Sequence, residues 1–105
     1  MTLPAPADVD IQRIVDLVVA EVQPLRVVLF GSRARGDHRP DSDIDLMVVM
    51  PEGVNRLHVA QKLYMIGLSR VDFVVTTPGK YSAARLGYGL VYRDIAREGL
   101  ELYAA

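Results

Sequence analysis

The sequence predicts a small α/β (α+β) domain, a mixed sheet of three to four strands flanked by helices. Apolar residues switch along the chain between a three- and four-residue spacing and short continuous runs, which is the alternation of helix with buried strand. The continuous runs are rich in Val, Leu and Ile and are stopped by Gly or Pro. With 105 residues, 50% of them apolar and 24% charged, the chain holds one core and is too apolar for intrinsic disorder.

Residues 1–7 contain Pro4 and Pro6 and little to bury, so they read as a loose tail ahead of a single domain over residues 8–105. Asp8 is the expected N-cap of a first helix, in which Ile11, Ile14, Val15, Val18 and Val22 share one face and which ends before Pro24. Arg26 to Phe30 is a first strand, stopped by Gly31. Gly31 to Asp41 reads as a loop with at most a turn or two of helix. Ile44 to Met50 is a second strand, and Val54, Leu57, Ala60, Leu63, Tyr64 and Leu68 mark a helix between Gly53 and Leu68. Val71 to Val75 is a third strand, and Thr77-Pro78 carries the N-cap and first-turn signature of another helix. That helical pattern runs through Leu86, Leu90 and Ile95, weakened by Gly87 and Gly89; Gly99 stops it before a short last strand, Leu100 to Tyr103.

Composition narrows the function. Twelve basic and thirteen acidic residues give a net charge of -1, which argues against a protein that binds nucleic acid through phosphate neutralisation. The absence of cysteine excludes disulfide frameworks and thiolate zinc sites. No apolar run approaches the length of a membrane span and the first ten residues lack a signal-peptide pattern, so a cytoplasmic location is expected.

Asp43 and Asp45 lie at the start of the second strand, and the two-residue period of a strand sends both carboxylates to one face. Two anions so close are unfavourable unless one is protonated or a cation lies between them, which calls for a hard, oxygen-seeking ion such as Mg²⁺. Asp72 stands one residue into the third strand. If the intervening helix is a crossover, the second and third strands are parallel neighbours and all three carboxylates reach one sheet edge. A first strand antiparallel to the second would bring Gly31-Ser32 to that same edge. Gly31 and Gly36 allow backbone N–H groups to approach a phosphate, Ser32 adds a hydroxyl, and Arg33 and Arg35 add positive charge.

Gly31-Ser32-Arg33-Ala34-Arg35-Gly36, followed by Asp43-Ile44-Asp45 and an Asp on the next strand, resembles the signature of the polymerase-β-like nucleotidyltransferase superfamily. Within it, the size and the stretch from Gly31 to Leu46 look like the minimal nucleotidyltransferase (MNT) domain proteins. The resemblance implies that Asp43 and Asp45 bind catalytic Mg²⁺, with two ions expected and Mn²⁺ as a substitute. It implies that Asp72 completes the triad and favours deprotonation of the attacking hydroxyl, and that Gly31 and Ser32 hold the phosphates of ATP. Many members are antitoxins of HEPN-domain toxins, and some adenylylate a tyrosine of the toxin, so a HEPN toxin is the expected partner. Transfer of AMP from ATP to a hydroxyl is then the expected activity.

Two other functions remain open. The chain could silence a toxin by occlusion alone, or act on a small molecule with an acceptor pocket completed by a homo-oligomer. Other residues have bland readings. Asp41 is read as a turn former, His38 and His58 as exposed, and Lys80 as a solvated residue at a helix start. Tyr81, Tyr88, Tyr92 and Tyr103 are read mainly as amphipathic packing.

Overall fold

The sheet has four strands, β1 (Arg26–Phe30), β2 (Ile44–Val49), β3 (Val71–Thr76) and β4 (Leu100–Ala104), in the spatial order β3-β2-β1-β4. They belong to a computed structural model that describes residues 6–85, 95 and 97–105. Helices α1 (Pro6–Val22), α2 (Ser32–Arg35), α3 (Arg56–Met65) and α4 (Pro78–Arg85) alternate with the first three strands. β1 runs antiparallel to β2 with Phe30 opposite Asp45, and β2 runs parallel to β3 with Asp45 opposite Asp72. The expected mixed sheet is therefore present, and the run after Gly99 is its fourth strand, antiparallel to β1 with an irregularity between Val27 and Val28.

Strand alternation divides the core in two. Val27 and Leu29 of β1 and Leu46 and Val48 of β2 face α1 and α3, where they pack with Ile14, Val15, Val18, Val59 and Leu63. Val28, Met47 and Val49 face the other way and pack with Ile95, with Phe30, Val74 and Tyr81 at the margin. β2 is apolar on both faces after Asp45 because it is covered on both. Tyr103 packs against the first cluster and Tyr81 against the second, in keeping with their reading as packing residues. Tyr88 and Tyr92, like the expected helical positions Leu86 and Leu90, lie outside the described residues.

Several boundaries differ from expectation. α1 starts at Pro6, so Asp8 lies inside the helix and is not its N-cap; proline's fixed φ suits a first helical position. α3 is shorter than the 53–68 pattern. It starts where the Asn55 side chain accepts a hydrogen bond from the His58 N–H at 3.1 Å, and it stops just short of Gly67 at φ 82°. Thr77 does precede α4, but its hydroxyl is buried without a hydrogen-bond partner and caps nothing. The Glu52 carboxylate accepts from the Gly79 N–H at 2.5 Å instead, a cap supplied from across the fold.

The two sides of α3 make opposite contributions to stability. Leu63 is fully buried whereas Met65 is 85% exposed. Leu63→Ala should destabilise the domain by about 2–5 kcal/mol through lost transfer energy and a residual cavity. Met65→Ala should change it by no more than about 0.5 kcal/mol. Denaturant unfolding of the two variants beside the parent checks the contrast.

Candidate active site

β1 ends, and β2 and β3 begin, at the same edge of the sheet. The chain turns there at Gly31, whose φ of 78° with ψ of -157° is a conformation open essentially to glycine. A side chain at this position would also run into the Asp45 carboxylate, so Gly31 is required twice, by its backbone and by the space it leaves. The turn continues into α2, where the N–H groups of Ala34 and Arg35 both donate to Gly31 O at 3.1 Å. The Ser32 and Arg33 N–H groups thus fall ahead of this short ladder. Gly36, at φ 85°, closes α2 in the left-handed region.

Asp45 is half-buried at the first full turn of the pleat in β2, and Asp72 is exposed directly across the parallel ladder. Asp43 precedes β2 by one residue instead of opening it, and is exposed. Burial raises the pKa of Asp45 above the ordinary carboxylate range; the charges of Asp72 and Asp43 add to this and that of Arg35 opposes it. Three anions and one cation therefore act on one another at this edge. Arg35 itself is held by Asp37, 3.3 Å away, and by Glu98 at 3.5 Å. Its pKa is raised, chiefly through the hydrogen bond with Asp37.

Arg33 is used differently. Its Nε and Nη2 donate to Ser42 O at 3.2 and 2.9 Å, and Nη2 also reaches Pro40 O at 3.4 Å. Arg70, which carried no signal in the sequence, donates from Nη1 to Asp41 O at 2.6 Å, and its own carbonyl accepts the Ile44 N–H at 2.8 Å. It adopts φ 59°, a left-handed conformation that costs a non-glycine residue about 1–3 kcal/mol. Asp41 thus contributes its backbone to a turn, and its side chain is exposed. His38, His58 and Lys80 are exposed.

An oxygen-only set of carboxylates at one sheet edge suits a hard divalent cation, which would offset the repulsion that Asp72 and Asp43 exert on Asp45. Among the described residues no three acidic or histidine side chains are already closed around one point, so the carboxylates would have to converge on an ion. Among the described residues two cavities are lined by none of the three aspartates. One of about 350 Å³, lined by Leu25, Val49, Pro78, Tyr81 and Ala104 among others, sits at the opposite end of β1 and β2. The other, of about 300 Å³, includes Leu29, Arg33, His38 and Leu102 but none of the three aspartates. No helix among the described residues is long and apolar enough to cross a membrane.

A family model described as nucleotidyltransferase domain matches residues 11–102. The chain is similar to the crystal structure of a candidate nucleotidyltransferase from Sulfolobus solfataricus, at 25% identity and a TM-score of 0.65, over 90% of this chain and 77% of that one. It shares its fold with a toxin–antitoxin structure containing AMP-PNP, at 23% identity and a TM-score of 0.57, over 90% of this chain and 73% of that one. It also shares its fold with a double Asp-to-Glu mutant of the MntA–HpeT toxin–antitoxin, at 21% identity and a TM-score of 0.56, with the same coverage of 90% and 73%. No curated protein matches it. The match spans α1 to β4 and takes in the Gly31 turn and all three aspartates, and on that ground the chain belongs to the nucleotidyltransferase domain family, with the polymerase-β-like fold.

Proposed function

We propose that this chain transfers AMP from ATP to a hydroxyl group in a metal-dependent reaction, that the acceptor is a tyrosine of a HEPN-domain toxin, and that the chain acts as the toxin's antitoxin. The observation that carries the reading is the cross-strand pair Asp45 and Asp72, with the Gly31 turn packed against Asp45. Phosphate-holding groups and carboxylates thereby meet at one edge. Similarity in fold to a toxin–antitoxin with AMP-PNP and to MntA–HpeT supports the choice of nucleotide and partner.

Asp43, Asp45 and Asp72 would hold Mg²⁺ or Mn²⁺, which when bound offsets the negative charge of the triphosphate and polarises the reacting oxygens. The Ser32 hydroxyl and the N–H groups at the start of α2 hold the phosphates, Gly31 and Gly36 letting the loop approach them, with Arg35 supplying positive charge close to Asp45. Attack of the acceptor oxygen on the α-phosphorus forms one P–O bond and breaks the bond to pyrophosphate. Asp72, exposed at the start of β3, accepts the proton of the hydroxyl.

One observation favours binding without catalysis as the second reading. α3 leaves Leu57, Tyr64 and Met65 exposed by 70%, 55% and 85%, an apolar surface of the kind that partners cover.

Mg²⁺ with ATP should raise the melting temperature more than ATP alone, because the aspartates repel a bare triphosphate and occupancy stabilises the folded state by mass action. Equal shifts in differential scanning fluorimetry would count against the site. Ser32→Ala should fold normally and lower nucleotide transfer by about tenfold to hundredfold, the worth of a hydrogen bond to a charged group. Steady-state kinetics with the partner as acceptor checks this.

The Asp43→Asn, Asp45→Asn double variant tests catalysis against occlusion. Free of ligand it should melt at or above the parent temperature, since burial and repulsion at Asp45 are relieved. It should leave the partner unmodified by intact mass and active in assay, even where the complex still forms. Full silencing of an unmodified partner would replace transfer with occlusion.

A further inference from the structure

We propose that Arg33 and Arg70 form a guanidinium clamp on the backbone of the segment before β2, and that this clamp positions Asp43 for cation binding. The inference rests on the reading that the three aspartates hold the ion. Residues 36–41 are all exposed and make no regular structure between Gly36 and β2, yet this segment must deliver Asp43 to the edge where Asp45 and Asp72 stand. No strand ladder holds it, so whatever fixes its peptide groups in place must come from elsewhere in the fold.

The hydrogen bonds fall on three consecutive peptide groups. Arg70 Nη1 donates to Asp41 O at 2.6 Å, which holds the peptide between residues 41 and 42. Arg33 donates twice to Ser42 O, at 3.2 and 2.9 Å, which holds the peptide between Ser42 and Asp43. The Ile44 N–H donates to Arg70 O at 2.8 Å, which holds the peptide between Asp43 and Ile44. Both peptide planes that bracket Asp43 are therefore fixed from outside the segment. Two fixed planes determine φ and ψ of the residue between them, and with them the direction of its Cα–Cβ bond. Ser42 adds a local brace, its Oγ accepting the Arg39 N–H at 2.8 Å.

Arg70 serves on two of the three planes, one through its side chain and one through its backbone. Its φ of 59° belongs with that double role, a strained residue kept where the chain turns into β3. Arg33 bridges α2 to the same backbone. A guanidinium suits this work because its planar fork carries several donors at fixed angles, whereas an ammonium bonds as a point. Neither arginine needs to touch nucleotide, so both are positioning residues. On this proposal the main part of Arg33 is structural, and the charge that acts on Asp45 comes from Arg35.

Mn²⁺ titrated alone into the full chain, with free ion counted by electron paramagnetic resonance, tests the clamp without any acceptor. Arg33→Ala and Arg70→Gly should each weaken Mn²⁺ binding by about tenfold, the usual cost of losing a group that orients a metal ligand. Glycine at position 70 relaxes the left-handed backbone, so an intact melting transition separates lost positioning from lost folding. Arg33→Lys should recover part of the affinity. In an Asp43→Asn background, Arg33→Ala should have no further effect, because the ligand it positions is gone. ATP binding measured in EDTA should be the same in Arg33→Ala as in the parent. Parental Mn²⁺ affinity in both arginine variants, with Asp43→Asn impaired, would overturn the clamp and leave the cation site standing. A parent chain that binds no Mn²⁺ would overturn both. Loss of ATP binding in Arg33→Ala with unchanged Mn²⁺ affinity would return Arg33 to the phosphates and refute the clamp.

Discussion

The parallel pairing of β2 with β3 is the constraint on which the rest of the site depends. Its register sets Asp45 opposite Asp72 and, one step before, Ile44 opposite Val71. Because side chains alternate across a sheet, a slip of one residue would turn Asp45 into the face that α1 and α3 cover and drive Leu46 and Val48 to the opposite face, out of the cluster they complete. The apolar clusters on the two faces forbid that slip, since β2 contributes fully buried residues to each. The same registration carries through β1, where the pairing of Phe30 with Asp45 leaves the next residue, Gly31, against the carboxylate. Hydrophobic burial thus fixes the position of charges that, left to themselves, would separate.

Much of this was legible in the sequence because it depends on local pattern. Arg26 to Phe30 is a strand in both readings, and the Asp-x-Asp alternation and the crossover through α3 predict a common edge for the three aspartates. The pattern fails where a long-range partner decides. The N-terminal cap of α4 comes from Glu52, twenty-seven residues before Gly79, so Thr77 could not be seen to be idle. The ends of α3 depend on Asn55 and on the turn at Gly67, while its apolar spacing continues past both. Arg33 sits in a motif that suggests phosphate contact, and only the folded loop shows that its Nε and Nη2 also bond the Ser42 and Pro40 carbonyl groups. Arg70 had no local signature at all, because its importance comes from a turn, a positive φ and a partner twenty-nine residues away.

The electrostatics of the edge and the stability of the fold are arranged to be largely independent. Asp43 and Asp72 are exposed and Asp45 is only half-buried, so none of the three is needed to complete the core. The burial of Asp45, with the added repulsion of Asp72 and Asp43, raises its pKa, and that cost is carried by the two apolar clusters. Arg35 moderates it, yet Arg35 is shared with Asp37 and Glu98 and does not close a simple ion pair with the site. What holds the carboxylates in place is backbone: a strand register for Asp45 and Asp72, and hydrogen-bonded peptide groups for Asp43. A group positioned through the main chain keeps its geometry when its own charge is changed, whereas a group positioned by an ion pair moves when its partner does. A change of charge at this edge therefore need not repack the interior. That separation lets so small a core carry a cluster of like charges.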